Sequence, residues 1–306
     1  MKKILMLFLV YFILPLEGIS FSQEGRPLPQ EEKIRKEKIK RALDLIEGRL
    51  YFSVNWYPYY LSYKELEGED VLDEDDGWMS NSYYVKLGYK SNAYLGDFWG
   101  SPFLEIYFRR GDGKVTYDGA TWGGIPIKFK EKSKIYRWGG KFGGRKVWRK
   151  GVNIYSYIDI GKREWYRGEN EIIEVNGIAV QSYKEKYWWI YFGGGTGVEF
   201  RTGENTSLGV DVELLTVPKS LRKMHAQLGS GVTFDLGGVW GVDLNFPLRF
   251  RIGKNCSFDF TPYYIFWSID ESNTKVVEID GDYYTVYEPK SKTNVYGAFT
   301  GFTLGI

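Results

Sequence analysis

Residues Trp240–Ile252 decide the fold, and they read Trp-Gly-Val-Asp-Leu-Asn-Phe-Pro-Leu-Arg-Phe-Arg-Ile. Every second residue of this stretch is apolar, and the residues between them are polar, Gly or Pro. Successive side chains of a β-strand point to opposite faces. The period of two therefore predicts a strand with one apolar face and one polar face.

A short pattern at the end of this stretch occurs twice in the chain. Phe200–Leu208 and Phe250–Phe258 both read Phe-Arg-x-Gly-x-Asn-x-Ser followed by an apolar residue. Opposed residues of a hairpin point to the same face, and Phe250 and Phe258 both belong to apolar faces, so an odd number of residues must separate their strands. Three-residue turns at Gly203–Asn205 and Gly253–Asn255 meet this condition. The repeat therefore predicts two copies of one tight hairpin turn.

The register of the second hairpin predicts two cross-strand pairs. Arg249 is expected opposite Asp259 on the polar face, and Leu248 opposite Phe260 on the apolar face. Opposite charges that face each other across a strand pair attract. The polar side of this hairpin is thus expected to hold an ion pair.

The composition limits the function classes. The 306 residues include 41 basic and 39 acidic side chains, and a net charge of +2 gives no reason to expect a nucleic-acid partner. Aromatic residues make up 18% of the chain and there are 37 glycines, which suits strands and turns better than helices. The single cysteine, Cys256, excludes an internal disulfide and a cysteine metal cluster.

The N-terminal residues have the features of an export signal. Lys2 and Lys3 precede an apolar run, and small residues follow at Ser20 and Ser22, so residues 1–22 are predicted to be a signal peptide. An uncleaved anchor is the alternative. Residues 23–48 are charged and are predicted to form a periplasmic lead-in, either helical or without regular structure. No later apolar run approaches the roughly 18 residues of a membrane helix.

Eight segments between residues 49 and 306 alternate in the same way, and on average they are roughly ten residues long, as a tilted membrane strand requires. They are Leu50–Tyr60, Tyr83–Tyr89, Leu104–Phe108, Trp188–Phe200, Leu208–Leu214, Trp240–Ile252, Phe258–Phe266 and Tyr296–Ile306. Their connections are alternately short and long. The long ones are 64–81, 111–186, 218–239 and 269–293. The pattern predicts an all-β, eight-stranded antiparallel up-and-down transmembrane β-barrel with long extracellular loops.

The two faces of these segments predict the surroundings of their side chains. Aromatic residues at the long-loop ends of the apolar faces are expected at the level of the lipid headgroups. They are Tyr60, Tyr83, Trp188, Trp240 and Tyr296. The polar faces are expected to line and plug a narrow interior through ion pairs. Their charged residues are Lys86, Glu105, Arg109, Glu199, Asp211, Glu213, Asp243, Arg249, Arg251 and Asp259.

Two segments resemble a known family. The hairpin of residues 188–216 is similar to the closing strands of eight-stranded bacterial outer-membrane barrels of the OmpA and opacity type. The end of the chain, Tyr296–Ile306, resembles the terminal strand that the outer-membrane insertion machinery reads, but it ends in Ile306 instead of Phe. The resemblance implies the fold and an integral outer-membrane location, and it does not imply a particular activity.

Four stretches contain residue types that occur in chemical sites, and none of them predicts such a site. The acidic residues 65–76 lack the ligand spacing of a calcium loop, so they are interpreted as a solvated surface loop. The basic residues 128–150 are interpreted as hairpins above the membrane, with lipopolysaccharide phosphates as an anionic partner. His225 lacks the neighbouring serine of a barrel deacylase, and Gly193–Gly197 lacks the lysine of a phosphate loop. We therefore expect no catalytic residues, no cofactor and no metal ion.

The sequence thus predicts a non-enzymatic outer-membrane barrel with a plugged interior and a structural or surface-interaction role. Its expected partners are outer-membrane lipid, lipopolysaccharide and the insertion machinery, and it is expected to be a monomer. Three alternatives stay open at this point. They are a barrel enzyme acting on outer-leaflet lipid, a porin-like narrow channel for small solutes, and a soluble lipocalin-like binder.

Overall fold

The structure is a computed structural model that describes residues 48–96, 100–120, 124–169, 172–175, 177–227, 231–279 and 281–306. The predicted signal peptide (1–22) and all of the predicted lead-in (23–48) except Gly48 lie outside the described residues. No helix in the described ranges is long and apolar enough to cross a bilayer.

The described chain consists almost entirely of strands. The strands are β1 (Gly48–Trp56), β2 (Tyr59–Glu67), β3 (Asp70–Met79), β4 (Asn81–Ser91), β5 (Ser101–Ala120), β6 (Pro126–Arg149), β7 (Val152–Arg167), β8 (Ile172–Val175), β9 (Ile178–Gln181), β10 (Glu185–Arg201), β11 (Thr206–Val217), β12 (Arg222–Ala226), β13 (Val232–Asp235), β14 (Val239–Asn245), β15 (Leu248–Arg251), β16 (Cys256–Ile269), β17 (Lys275–Ile279), β18 (Asp282–Val286) and β19 (Lys290–Gly305). Fifteen of them form one sheet, while β8–β9 and β17–β18 form separate hairpins.

The large sheet closes on itself into a ten-stranded antiparallel barrel. Three of the ten wall strands consist of two consecutive segments each, namely β1–β2, β3–β4 and β14–β15. In order around the wall, the ten are β1–β2, β3–β4, β5, β6, β7, β10, β11, β14–β15, β16 and β19. The ring closes because β19 pairs with both β1 and β2. Closure leaves the wall without a free strand edge, so its backbone groups are paired internally.

The predicted count of eight strands is therefore wrong, and so is the assignment of residues 111–186 to one long loop. This segment contains the second half of β5, all of β6 and β7, and the start of β10. The two missed wall strands, β6 and β7, join through a short turn at Lys150 and Gly151. The prediction missed two strands, and two antiparallel strands return the chain to the side from which it started. The directions of the other wall strands are therefore as predicted.

The missed strands lack the alternation that identified the others. The outward positions of β6 include Gly140, Gly144 and Lys146, and its inward positions include Arg137 and Lys141. Neither face of β6 is therefore continuously apolar, since charge fills one side and glycine interrupts the other.

The repeated hairpins have the predicted register. Phe200 pairs with Leu208 in the first and Phe250 with Phe258 in the second. In both turns a backbone N–H donates across to the equivalent carbonyl, from Thr202 to Thr206 at 3.0 Å and from Ile252 to Cys256 at 2.9 Å. The prediction of one turn used twice is confirmed.

The apolar residues of the wall point outward. Val54, Ile106, Ile158, Leu214 and Phe302 are 47–63% exposed, although each lies within a wall strand. Aromatic side chains border this band toward the long loops, where Tyr60 stacks on Tyr296 at 5.2 Å and contacts Trp78. A continuous apolar outer band of this kind matches a bilayer and not water.

Prolines interrupt two of the wall strands and leave β16 continuous. Pro58 separates β1 from β2, and Pro247 separates β14 from β15. β16 continues through Pro262, which lies opposite Ala298. The break falls instead on the neighbouring strand, between Asn245 opposite Tyr263 and Leu248 opposite Phe260, because proline offers no N–H to that side.

The strands extend well beyond the apolar band at the long-loop end. β5 has 20 residues and β6 has 24, whereas about 9–11 residues cross a bilayer. The outward positions of these extensions are charged, as at Lys64, Glu74, Lys114, Lys134 and Glu164. The long-loop end therefore stands above the membrane as a polar rim.

Candidate functional site

The middle of the barrel is filled by a buried ion network. Arg137 Nη1 donates to Asp243 Oδ2 at 2.7 Å, and Arg109 Nη1 donates to the same oxygen at 3.3 Å. Lys141 Nζ lies 2.7 Å from Glu213 Oε2. All five residues are buried, so the charges are compensated by one another and not by water.

Tyrosines complete this network. Tyr107 donates to Asp159 Oδ2 at 2.7 Å, and Tyr157 donates to Asp211 Oδ1 at 2.8 Å. Inward glycines make room for these rings: a Cβ on Gly195 would lie 2.3 Å from the ring of Tyr157.

An arginine surrounded by aromatic rings lies next to the network on the long-loop side. The Arg163 guanidinium lies 5.9, 5.1 and 5.3 Å from the ring centroids of Trp165, Trp189 and Trp267. All four side chains are buried. Cation–π attraction to three desolvated rings compensates the buried charge, and the rings occupy the cross-section of the barrel.

Five buried or nearly buried carboxylates gather around one cation at the level of the polar rim. Arg167 lies 2.7 Å from Glu65, 2.5 Å from Asp75, 2.8 Å from Glu185 and 3.7 Å from Glu131. The fifth carboxylate, Glu288, is hydrogen-bonded by Tyr187. We call these six charged residues the carboxylate cluster.

Burial and mutual repulsion raise the pKa values of three carboxylates in the carboxylate cluster. Burial, followed by the proximity of Asp75, raises the pKa of Glu131 to about 9. Burial also raises the pKa of Glu185 to about 7 and moves the pKa of Glu288 well above its ordinary value. Asp75 and Glu131 lie close enough to hydrogen-bond when one of them carries a proton.

Charged pairs also line the short-turn end of the interior. Arg249 Nε donates to Asp259 Oδ1 at 2.7 Å, which confirms the predicted pair. Lys86 lies 3.4 Å from Glu105. Of the ten charged residues predicted to face inward, Arg251 is exposed at the mouth, and the other nine are buried or half-buried.

The acidic stretch, residues 65–76, is not the solvated surface loop that the sequence predicts. Residues 65–76 belong to the β2–β3 hairpin of the wall, and not to a solvated loop. Glu65 and Asp75 point inward and are only 7% and 0% exposed, because the inward rows of the hairpin face Arg167. Glu74 points outward and pairs with Lys64 at 3.0 Å.

The basic stretch is divided between the two sides of the wall. Arg137 and Lys141 are inward and buried, whereas Lys128 and Lys134 lie on the outward face of β6 above the apolar band. The interpretation of residues 128–150 as hairpins above the membrane is therefore wrong for the part of β6 that spans the membrane. It holds for the extension that begins at Pro126.

The remaining candidates do not meet in one place. His225 lies on β12, where its Nδ1 is 3.0 Å from the hydroxyl of Thr233. Gly193–Gly197 lies within β10, paired on both sides as part of the wall. No group of three or more His, Cys, Asp or Glu side chains in the described ranges is arranged to hold a metal ion.

The interior residues contributed by 111–186 were not predicted, because this segment was assigned to a loop. They include Arg137, Asp159, Arg163 and Arg167. A signal for β7 was present in the outward isoleucines at 154, 158 and 160. Their spacing is even, but Ser156 interrupts the row and the intervening Tyr155, Tyr157 and Asp159 do not mark a clearly polar face.

A closed antiparallel barrel with an even number of strands, an outward apolar band, an aromatic border and short turns at one end is the architecture of bacterial outer-membrane barrels. The chain is an integral outer-membrane β-barrel protein of this class. In barrels of this class the short-turn end faces the periplasm and the long-loop end faces the outside of the cell.

No protein-family model and no curated sequence matches the chain. The fold is similar to the outer-membrane protease OmpT of Escherichia coli, with 9% identity, 85% of this chain and 97% of that chain covered, and a TM-score of 0.48. It is also similar to the transport unit of the Escherichia coli autotransporter AIDA-I (9% identity, 99% and 96% covered, TM-score 0.40). A third similar structure is the translocator domain of the Neisseria meningitidis autotransporter NalP (9% identity, 89% and 95% covered, TM-score 0.32). The class assignment rests on the strand pairing and the outward apolar band.

Proposed function

We propose that this protein is a non-conducting outer-membrane barrel whose external rim serves as an interaction platform at the cell surface. The observation that supports the proposal is the succession of buried layers across the interior. The ion network around Arg137, the rings around Arg163 and the carboxylate cluster follow one another toward the outside.

These layers oppose solute passage because their charges are already paired. A solute that entered would have to separate Arg137 from Asp243 or displace three tryptophans from Arg163. A buried charge left without its partner costs about 3–5 kcal/mol. A barrel that conducted would instead leave a water-filled gap between its charged rows.

Planar-bilayer recording tests this proposal. The purified full chain is reconstituted at 1 M KCl, with a wide porin in the same bilayer as the positive control. We expect no discrete conductance steps from this chain. Steps that scale with salt concentration would contradict the proposal and would support the narrow-channel alternative.

A specific observation favours lipopolysaccharide as a partner of the rim. Arg110, Lys134, Lys162 and Lys186 lie on the outward faces of adjacent wall strands, just above the apolar band, and we call them the basic belt. Aromatic rings lie against three of these cations, as Trp138 does against Lys162 at 5.2 Å and Tyr166 against Lys186 at 5.0 Å. Cations and aromatic rings at headgroup level suit phosphates of outer-leaflet lipid.

Binding of lipid A to the barrel in detergent tests this partner. Lys134→Gln with Lys186→Gln should weaken binding several-fold, and dephosphorylated lipid A should bind both proteins equally. Lys64→Gln with Lys292→Gln removes two charges from the outer face on the other side of the ring and serves as the matched control. Equal binding by all three proteins would refute the basic belt as a phosphate site.

Three further expectations remain proposals with direct tests. The lipid-enzyme alternative requires His225, so lipid hydrolysis that His225→Ala abolishes would replace the non-enzymatic proposal.

The insertion machinery is proposed to read β19, so deletion of residues 302–306 should reduce the amount of folded protein in the outer membrane. Light scattering of the purified barrel tests whether it is a monomer. The lipocalin-like alternative is wrong, because its apolar face would point inward.

A further inference from the structure

The periplasmic mouth of the barrel contains more positive charge than its own carboxylates can neutralise. A cavity of about 300 Å³ opens there, and it is lined by Lys90, Arg145, Arg201, Arg249 and Arg251. Only two carboxylates, Glu199 and Glu204, line the same cavity. A mouth that serves only as the closed end of a barrel has no need of this imbalance, because like charges repel one another.

Two of the five cations are already paired. Arg145 Nη2 lies 2.8 Å from Glu199 Oε2, and Arg249 Nε lies 2.7 Å from Asp259 Oδ1. The pairs fix these two guanidinium groups on the cavity wall. Their remaining N–H donors are available to a group inside the cavity.

The other three cations form no ion pair with any of the described residues. Lys90 Nζ lies 4.9 Å from the ring centroid of Tyr51. Burial, followed by the nearby cation of Arg249, lowers the pKa of Lys90 to about 7, and an anion bound beside it would favour its charged form. Arg201 donates to the turn carbonyls of Gly203 at 3.2 Å and Glu204 at 2.8 Å. Arg251 is exposed at the mouth itself. Three cations around one concave opening produce a focused positive potential.

We infer that the mouth is a binding site for a soluble periplasmic oxyanion with more than one negative charge, of the phosphate or carboxylate type. The paired Arg145 and Arg249 orient the ligand, and Lys90, Arg201 and Arg251 neutralise it. Guanidinium groups suit the planar and tetrahedral oxyanions because they donate two parallel hydrogen bonds.

Both turns that carry the site are copies of the repeated hairpin. Arg201 and Arg251 occupy the second position of the pattern Phe-Arg-x-Gly-x-Asn-x-Ser, and each begins one of the tight turns. The pairing of Thr206 with Phe250 places the two hairpins side by side in the wall. The sequence repeat therefore positions two equivalent arginines at one opening.

Isothermal titration of the detergent-solubilised full chain tests the site, with inorganic pyrophosphate and citrate as separate probes at low ionic strength. We expect one binding event per chain for at least one probe, and the preferred probe distinguishes phosphate from carboxylate ligands. Lys90→Gln with Arg251→Gln should lower the affinity at least tenfold and reduce its dependence on salt.

The matched control is Lys114→Gln with Lys219→Gln, which removes the same charge from the external side. This control should bind as the unmodified chain does. The inference is refuted if the unmodified chain binds neither probe, or if the control loses as much affinity as the mouth variant. Heat-modifiable migration of each variant confirms that the barrel is folded, so a folding defect cannot account for the result.

Discussion

Asp243 holds the central ion network together, so replacing it is the most informative change in the wall. The side chain is fully buried, and one of its oxygens accepts hydrogen bonds from both Arg137 at 2.7 Å and Arg109 at 3.3 Å. Asp243→Asn keeps the shape of the side chain but removes its charge. Two guanidinium groups then remain in the interior with one carboxylate fewer.

The magnitude follows from what remains around the two arginines. Removing one partner of a buried ion pair costs about 3–5 kcal/mol. Arg137 keeps Asp159 at 3.3 Å and Glu213 at 3.5 Å, whereas Arg109 has no other carboxylate in an ion pair with it among the described residues. We therefore expect Asp243→Asn to lower the free energy of unfolding by about 3 kcal/mol, near the lower limit of that range.

Urea unfolding of the barrel in lipid vesicles, followed by tryptophan fluorescence, measures this loss. Glu74→Gln is the control, because it removes one partner of an outward pair with Lys64 whose side chains are 30% and 40% exposed. Such a pair contributes about 0–1 kcal/mol. A loss for Asp243→Asn that is no larger than the loss for the control would refute a buried network at the centre of the barrel.

Three other predictions concern the carboxylate cluster and the packed glycines. The raised pKa values of Glu131 (about 9) and Glu185 (about 7) mean that the folded state binds more protons than the unfolded state above the ordinary carboxyl pKa. Stability should therefore fall as pH rises from about 5 to 9, and Glu131→Gln should flatten this dependence in urea unfolding measured across that range. Arg167→Met leaves its carboxylates without their cation, so it should destabilise the rim at pH 8 far more than at pH 5; equal losses at both pH values would contradict the cluster. Gly195→Val should lower the unfolding midpoint, because its Cβ would lie 2.3 Å from the Tyr157 ring, whereas Gly194→Ala, with no atom within 4 Å, should not change it.

Sequence periodicity predicted the parts of the wall in which the two faces differ strongly. In Trp240–Ile252 the outward row is apolar and the inward row contains Asp243 and Arg249, so the alternation shows both the strand and its orientation. The repeated turn then fixed the register, including the pair of Arg249 with Asp259. These features are local, and a single sequence contains them.

The interior could not be predicted in the same way. Arg137 and Asp243 are separated by 106 residues, and only the closure of the ring brings them to 2.7 Å. The inward position of Glu65 and Asp75 depends on Arg167, which lies in a segment without clear periodicity. From sequence alone, a run of acidic residues is read as a solvated surface, because the cation that compensates its charge inside the protein lies far away in the chain.

The central claim is that β6 and β7 are part of the membrane wall, with apolar side chains toward lipid. A spin label on Ile158→Cys in a Cys256→Ser background tests it directly, because Ile158 is an outward residue of β7 and 56% exposed. In vesicles the account predicts that oxygen relaxes this label and that a water-soluble nickel chelate does not, whereas a label on Lys128→Cys shows the reverse. Strong relaxation of the Ile158→Cys label by the nickel chelate would place residues 152–167 in water and would contradict the ten-stranded barrel.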